Sequence, residues 1–317
     1  MIVIVGTGRW GGTEGQVHSF RLAGPAGPFE HVTTLEAGSL SSFLAVDPGR
    51  RLAHVADEEA RGIRSFTVGE DGALGYNGDV PTAGHPVSIH LGGSAMYVAS
   101  YVEGVVERLP LGSDGLPGAP TAEASPGDKA HCASGSPHDD AILVTSTGSD
   151  RVVVYTPQLE PEHVLEVSGG PRHLAWHPTL PLVYVITEYT EELVVLEHAL
   201  GVLTEKARRS LRPEGWKGTG ADVHVHATGD FLVATLRHPE KEGLLATVRL
   251  DEEGLPASLA HQPSGGLVPR NATLVDDLLL VTHRVSGELQ AFRRAAEGWE
   301  RGAMTTLASP FCVRTLP

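Results

Sequence analysis

The sequence predicts an all-β fold in one domain, residues 1–317: a ring of seven four-stranded blades, a seven-bladed β-propeller. Three observations predict it. A motif recurs seven times at a spacing of roughly 40–50 residues: a small residue or proline, an apolar strand, a turn and a second strand. A further strand with alternating apolar residues accompanies every copy. No stretch carries a convincing helical period, and no low-complexity segment or linker divides the chain.

The motif opens at Ser42 (SFLAVDPGRRLAHVADE), Pro86, Ala130, Pro171 (PRHLAWHPTLPLVYVITE), Ala221, Pro269 and Pro310. The alternating third strands begin at Gly15 (GQVHSFRL), Arg61, Glu103, Asp150, Glu191, Glu242 and Ser286. Fourth strands are fainter, the clearest starting at His31, Glu162 and Ala303. The last opening, PFCVRTLP, supplies only a first strand, whereas the initial MIVIVGTG reads as a second strand without a first. Together they predict one blade completed by both ends of the sequence, which removes the open edges of the ring.

Composition narrows the function. A hydrophobic share of 41% and a charged share of 20% describe an ordinary globular chain. A formal net charge of −15 argues against a nucleic-acid partner, because phosphate backbones attract clustered Lys and Arg. A small anionic substrate stays compatible, since a pocket can be basic inside an acidic shell. Apolar runs are too short for a membrane span, and MIVIVG lacks the basic flank of a signal peptide. The expectation is a cytoplasmic protein, a monomer or weak homo-oligomer, without nucleic-acid or membrane partners. Cys132 and Cys312 are expected to be buried thiols, and the scattered histidines do not converge as a metal site, so no cofactor is expected.

Residues 6–11, GTGRWG, match the glycine pattern of a dinucleotide-binding turn. That function needs a helix opening at the third glycine, and the following segment alternates instead. It is read as a turn between strands.

Antiparallel pairing puts the start of each first strand beside the end of each second strand, at one mouth of the central channel. The starts read Phe43, Val87, His131, Arg172, Asp222, Arg270 and Phe311. The ends read Glu58, Tyr101, Gly148, Glu188, Arg237 and Arg284. His131, Arg172, Glu188 and Arg237 thus form an acid–base pair flanked by guanidinium groups, which match carboxylates and phosphates.

With these residues in place the sequence resembles the lactonase-type seven-bladed propellers, which include bacterial 6-phosphogluconolactonases and fungal carboxymuconate cyclases. Gly170-Pro171-Arg172-His173 carries the resemblance, supported by Ala130-His131 and the turn from Gly148 to Asp150. The resemblance implies His131, Arg172, Glu188 and Arg237 as catalytic residues; Tyr101, His173 and Arg270 are expected as substrate contacts. For His173 and Trp176 strand packing is favoured over contact with substrate. Thr187, Ser100 and Leu236 replace asparagines of the family pattern, and His238 replaces a glycine.

As chemistry, lactone hydrolysis needs a base for water, an acid for the leaving alkoxide and donors for the oxyanion. Glu188 is expected as the base and His131, titrating near neutrality, as the acid, with exchange of the two roles left open. Arg172 and Arg237 are expected to clamp substrate anion and oxyanion. The expected partner is a small anionic lactone or dicarboxylate. A lactone-forming cycloisomerase and a non-catalytic interaction scaffold are the alternative functions.

Overall fold

The computed structural model describes all 317 residues and contains seven four-stranded antiparallel sheets arranged as a ring, with no helix. We number the blades from the first complete one: residues 41–81 (blade 1), 86–124, 130–166, 171–210, 219–267 and 269–306 (blade 6), each made of four consecutive strands. Here β4 is Ser41–Asp47, β8 Pro86–Leu91, β12 Ala130–Gly135, β16 Pro171–Trp176, β20 Thr219–Val225 and β24 Pro269–Val275. Blade 7 joins β28 (Pro310–Leu316) to β1 (Ile2–Thr7), then β2 (Gln16–Leu22) and β3 (Phe29–Glu36). The two ends of the described chain therefore share one sheet, Ile2 opposite Leu316 and Val5 opposite Val313. GTGRWG covers the last two residues of β1 and the start of its turn to β2.

All seven accompanying strands fall where alternation places them. Four fourth strands escape the sequence reading: β7 (Leu74–Pro81), β11 (Ala122–Ala124), β19 (Val202–Ser210) and β23 (Pro256–Leu267). They form the outer rim, where much of each strand faces water, so little apolar pattern is required.

The interior is not one core. Seven separate apolar clusters fill the seven interfaces between neighbouring blades. The interface of blades 4 and 5, for example, packs Tyr184, Ile186 and Val195 against Leu232, Ala234 and Val248. Burial at the blade faces is what orders the ring, at roughly 25 cal/mol per Å² of apolar surface removed from water.

Each first strand slips register against its second strand near its start. The unpaired residues are Ser42, Val87, His131, Arg172, Arg270 and Phe311, while blade 5 sets Ala221 and Asp222 against Thr235. Such bulges re-aim a side chain beside a functional site. They also free an amide, which threonine hydroxyls accept: Cys132 N donates to Thr145 Oγ1 (3.0 Å) and Asp222 N to Thr235 Oγ1 (3.1 Å). The bulges correct the alignment of three positions by one residue. Ser42, not Phe43, is the blade 1 counterpart of Arg172, and Ala221, not Asp222, is that of blade 5. In blade 3, Ala130 pairs with Ser146, so Thr147 rather than Gly148 is the counterpart of Glu188.

One step below the bulges, Asp222 ties the blades together. Its carboxylate accepts from His173 Nδ1 of blade 4 (2.6 Å), Asn271 Nδ2 (2.6 Å) and Ala272 N (2.9 Å) of blade 6, and Val223 N (3.0 Å). His224 Nε2 adds a contact at 3.0 Å. Burial alone would favour the neutral acid, but the two histidines outweigh it and hold the carboxyl far below the ordinary range.

Asp222→Asn is expected to destabilise the fold by about 3–5 kcal/mol, the scale for removing one partner from a buried charge network. Because the folded carboxyl lies below its unfolded value, its stabilisation is complete above about pH 3.9 and drains as pH falls further. Thermal unfolding across acid pH checks this: the wild type should lose stability more steeply than the variant.

Candidate active site

The mouth of the channel is built from two rings of equivalent positions. One holds the bulge residues Ser42, Val87, His131, Arg172, Ala221, Arg270 and Phe311. The other holds Gly8, Glu58, Tyr101, Thr147, Glu188, Arg237 and Arg284, where each second strand ends. In blade 4 the entry needs glycine. Gly169 and Gly170 sit at φ 97° and 73°, and a Cβ on Gly170 would meet the Tyr189 ring at 2.6 Å. Their carbonyls accept from Glu188 N (2.7 Å) and Tyr189 N (2.9 Å), which sets Glu188 at the rim.

Glu188 lies between two guanidinium groups. Arg237 Nη2 is 3.0 Å from its Oε1, and Arg172 Nε is 3.3 Å from Oε2, though Arg172 is not aligned there for a hydrogen bond. Burial pushes the Glu188 carboxyl upward, but Arg172 and Arg237 outweigh it and hold it below the ordinary glutamate range. It is ionised at neutral pH.

Arg172 is 1% exposed, and its Nη1 donates to Ala221 O of the next blade. Burial, then repulsion from Arg237, lowers its pKa to about 9, which still leaves it charged. This geometry makes Arg172 a buried support for Glu188 rather than an open anion clamp. Arg237 Nη2 also donates to Gly220 O at 2.7 Å and reaches the rim.

His131 is buried beside Tyr101 and His173, with ring centroids 5.7 and 5.0 Å away. Burial, reinforced by Arg172, His173 and Arg270, pushes its pKa well below 6.5. The expectation that it titrates near neutrality is therefore corrected: His131 is a neutral imidazole, because sequence spacing does not reveal burial among cations. His173, lowered to about 4 chiefly by burial, is also neutral and donates Nδ1–H to Asp222. It lies under the mouth, packed edge-on to Phe43.

Arg270 faces the mouth from blade 6, 4.9 Å from the Phe311 ring centroid, and Arg284 lies 4.7 Å from that of Trp10. Trp10, on the β1–β2 turn, donates Nε1–H to Glu58 Oε1 at 3.2 Å. Sequence reasoning put Glu58 and Arg284 on the rim without assigning them a role, and missed Trp10. The only signal for Trp10 was an aromatic residue in a glycine-rich turn at the channel end.

The floor is closed: Phe43, Val87, Arg172, His173, Arg270 and Phe311 pack with no water-sized space between them. Beside the rings a cavity of about 450 Å³ opens, lined by Glu188, Arg237 and Arg284 together with Arg212, Trp216, Lys217 and His238. A larger cavity, about 740 Å³, lies between the outer strands of blades 5 and 6 and contains no ring residue. The smaller one adjoins the titratable groups and is the candidate substrate space. Cys132 and Cys312 are buried thiols, their pKa values raised to about 11 and about 12 mainly by burial, which removes them as nucleophiles.

Comparison with known proteins agrees with this architecture. The family model described as "Lactonase, 7-bladed beta-propeller" matches residues 2–314. A 6-phosphogluconolactonase of Serratia proteamaculans is 28% identical over 270 residues, covering 79% of this chain and 80% of that protein. One of Yersinia pestis is 24% identical over 294 residues, covering 88% and 87%. The solved periplasmic gluconolactonase of Pseudomonas aeruginosa superposes with a TM-score of 0.87 at 23% identity, spanning 100% of this chain and 99% of that one. That structural likeness speaks for the fold, and the family match spans nearly every residue: the chain belongs to the lactonase family of seven-bladed β-propellers.

Proposed function

We propose that this protein hydrolyses an anionic sugar lactone of the 6-phosphogluconolactone type at the channel mouth. The observation that carries the reading is charge. Four guanidinium groups, Arg172, Arg237, Arg270 and Arg284, converge on a mouth whose one firmly ionised carboxylate is Glu188, within a chain of net charge −15. Low-dielectric walls focus such a field on an incoming anion. Lys217 extends it into the adjoining cavity, where Arg212 faces Glu191 at 3.7 Å, which suits a phosphate or carboxylate at the far end of a substrate. The family membership and the names of the relatives point to the same class.

The protonation states set the roles. Glu188 has both oxygens facing arginines and is a weak base, so it serves to hold Arg237 in place. Neutral His131 has a free lone pair and takes the proton from the attacking water. Its basicity is depressed chiefly by burial and then by Arg172 and Arg270, and a bound anion offsets the charges of the two arginines. Arg237 and Arg284 then stabilise the oxyanion as the carbonyl carbon becomes tetrahedral. The cytoplasm remains the proposed compartment.

With freshly generated 6-phosphoglucono-δ-lactone, the purified protein is expected to exceed the spontaneous rate, and His131→Ala to lose about 10²–10⁴-fold in kcat. A wild-type rate at background would sink the lactonase reading. Inhibition by a dicarboxylate in preference to a phosphosugar acid would turn the assignment toward a muconate-type substrate. A second check is pH: kcat/KM reports the free enzyme, so its acid limb should lie below the ordinary histidine value of about 6.5. An acid limb at or above that value would remove His131 as the base.

A further inference from the structure

Two segments at the channel mouth are longer than the repeat requires. Residues 211–218 connect β19 to β20, whereas the other connections between blades run from the single Val268 to the five residues 125–129. The β1–β2 turn, residues 8–15, stands where the other six blades each have four, as at 58–61 and 188–191. Each long segment brings one tryptophan to the mouth, Trp10 in the turn and Trp216 in the connection. Trp10 is taken up by Glu58, Arg270 and Arg284. Trp216 and its neighbour Lys217 line the cavity of about 450 Å³ beside Glu188 and Arg237.

The connection is fastened to the site it borders. Leu211 N donates to Glu191 O at 2.8 Å, and Trp216 N closes a turn on Pro213 O at 3.1 Å. Gly215, at φ 74°, lets the chain reverse inside that turn. At Gly218 the backbone runs so close to Arg237 O and the indole Nε1 that a Cβ would collide with both. Glu191 lies under the segment, 1% exposed, with Arg212 Nη1 3.7 Å from its Oε2. Burial raises its carboxyl, against the pull of Arg212 and of the Gly218 and Trp216 N–H groups. Two residues beyond Gly218, Gly220 O accepts from Arg237 Nη2 at 2.7 Å. One stretch of backbone therefore sets both the indole and the guanidinium.

Two donors in this cavity are left for a ligand. Arg212 is turned to Glu191 and Arg237 to Glu188, but Lys217 forms no ion pair. His238 stands edge-on to the Trp216 ring at 5.0 Å. Its Nδ1 accepts from Glu240 N and Lys241 N, both at 3.1 Å, which places the proton of the neutral ring on Nε2 as a free donor. A sugar lactone matches this set. The C–H face of its ring packs on an aromatic side chain, and a phosphate ester takes an ammonium and an N–H donor.

We propose that residues 211–218 are the specificity element of the site, with Trp216 forming the wall for the carbon skeleton of the lactone and Lys217 and His238 receiving a phosphate at its far end. The inference deepens the lactonase reading and rests on it for the identity of the skeleton. Arg237 and Arg284 are left for the carbonyl end. A neutral lactone of the same skeleton fills the wall but leaves Lys217 and His238 without a partner. The gain from the phosphate then appears in binding rather than in the chemical step.

The test compares 6-phosphoglucono-δ-lactone with glucono-δ-lactone, which differ only in the phosphate, on the wild type, Lys217→Met, His238→Gly, Trp216→Ala and Trp216→Phe. Lys217→Met should cut the ratio of kcat/KM between the phosphorylated and the neutral lactone about tenfold or more, the scale of a hydrogen bond to a charged group, with the loss in KM. His238→Gly should cut it in the same sense, about threefold. Trp216→Ala should lower kcat/KM about fivefold or more for both lactones and keep their ratio, and Trp216→Phe should restore most of it. An unchanged ratio in Lys217→Met overturns the phosphate role, and wild-type kcat/KM on both lactones in Trp216→Ala overturns the wall. Titration calorimetry with the ring-opened acids, 6-phosphogluconate and gluconate, needs no turnover and so separates recognition from reaction. A wild-type rate at the spontaneous background, with a preference for 6-phosphogluconate that Lys217→Met erases, removes the lactonase reading and leaves the recognition in place. Turnover with equal affinity for the two acids removes the recognition and leaves the lactonase.

Discussion

The buried carboxylate of Asp222 is the constraint on which the channel depends. It joins blades 4, 5 and 6 through His173, its own strand and Asn271. Asn271 passes the connection on, since its Oδ1 accepts from Val313 N and Arg314 Nη1 of blade 7, both at 3.0 Å. A lone carboxylate at this depth would cost several kcal/mol, so its full set of donors is a condition of folding rather than an addition to it. The negative charge also lies beneath the guanidinium groups and helps Arg172 remain charged. Without it, Arg172 would keep only Glu188 to offset the repulsion from Arg237 and Arg270.

The apolar clusters and this polar tier divide the work. Each cluster spans one interface, so apolar burial fixes how neighbouring blades face each other but not how far one slides past the next. Hydrogen bonds at the bulges settle that slide. Thr145 donates to Arg172 O (2.7 Å) and Ser42 to Pro86 O, each crossing to the next blade. Directional bonds of this kind cost more when broken than they contribute when made, which suits them to setting register. The rings at the mouth are thereby held at constant height around the axis, and groups from distant parts of the sequence meet.

Most of the architecture was legible in the residues because first, second and third strands bury both faces against neighbouring blades. That burial demands the runs and alternation seen at Leu182–Thr187 and Glu242–Leu250. The outer strands were hard to see for the opposite reason: β11 is three residues, AEA, with no buried member. The one-residue errors at Ser42, Ala221 and Thr147 share a cause. A bulge inserts a residue without altering composition, and the small residues beside it fit both alignments. The four site residues drawn from the repeat do converge around one rim, but their ionisation was not legible. Spacing placed His131 among arginines, whereas its neutrality comes from desolvation that only packing reveals. Trp10 was hidden by a glycine pattern whose more familiar meaning lies elsewhere.

The shared sheet of blade 7 bears on how the molecule reaches its native state. Blades 1 to 6 are each made from consecutive residues and can pair locally as the chain emerges from the ribosome. β1, β2 and β3 also emerge early but keep an unsatisfied edge until β28 arrives. Closing that gap joins positions some three hundred residues apart, the kind of contact that slows folding most. Until it closes, the backbone edge of β1 and the apolar flank shared with Leu44, Val55 and Phe66 stay open to other chains. A truncation of residues 310–317 would therefore leave the edge of β1 without its partner, the kind of open edge that recruits other chains.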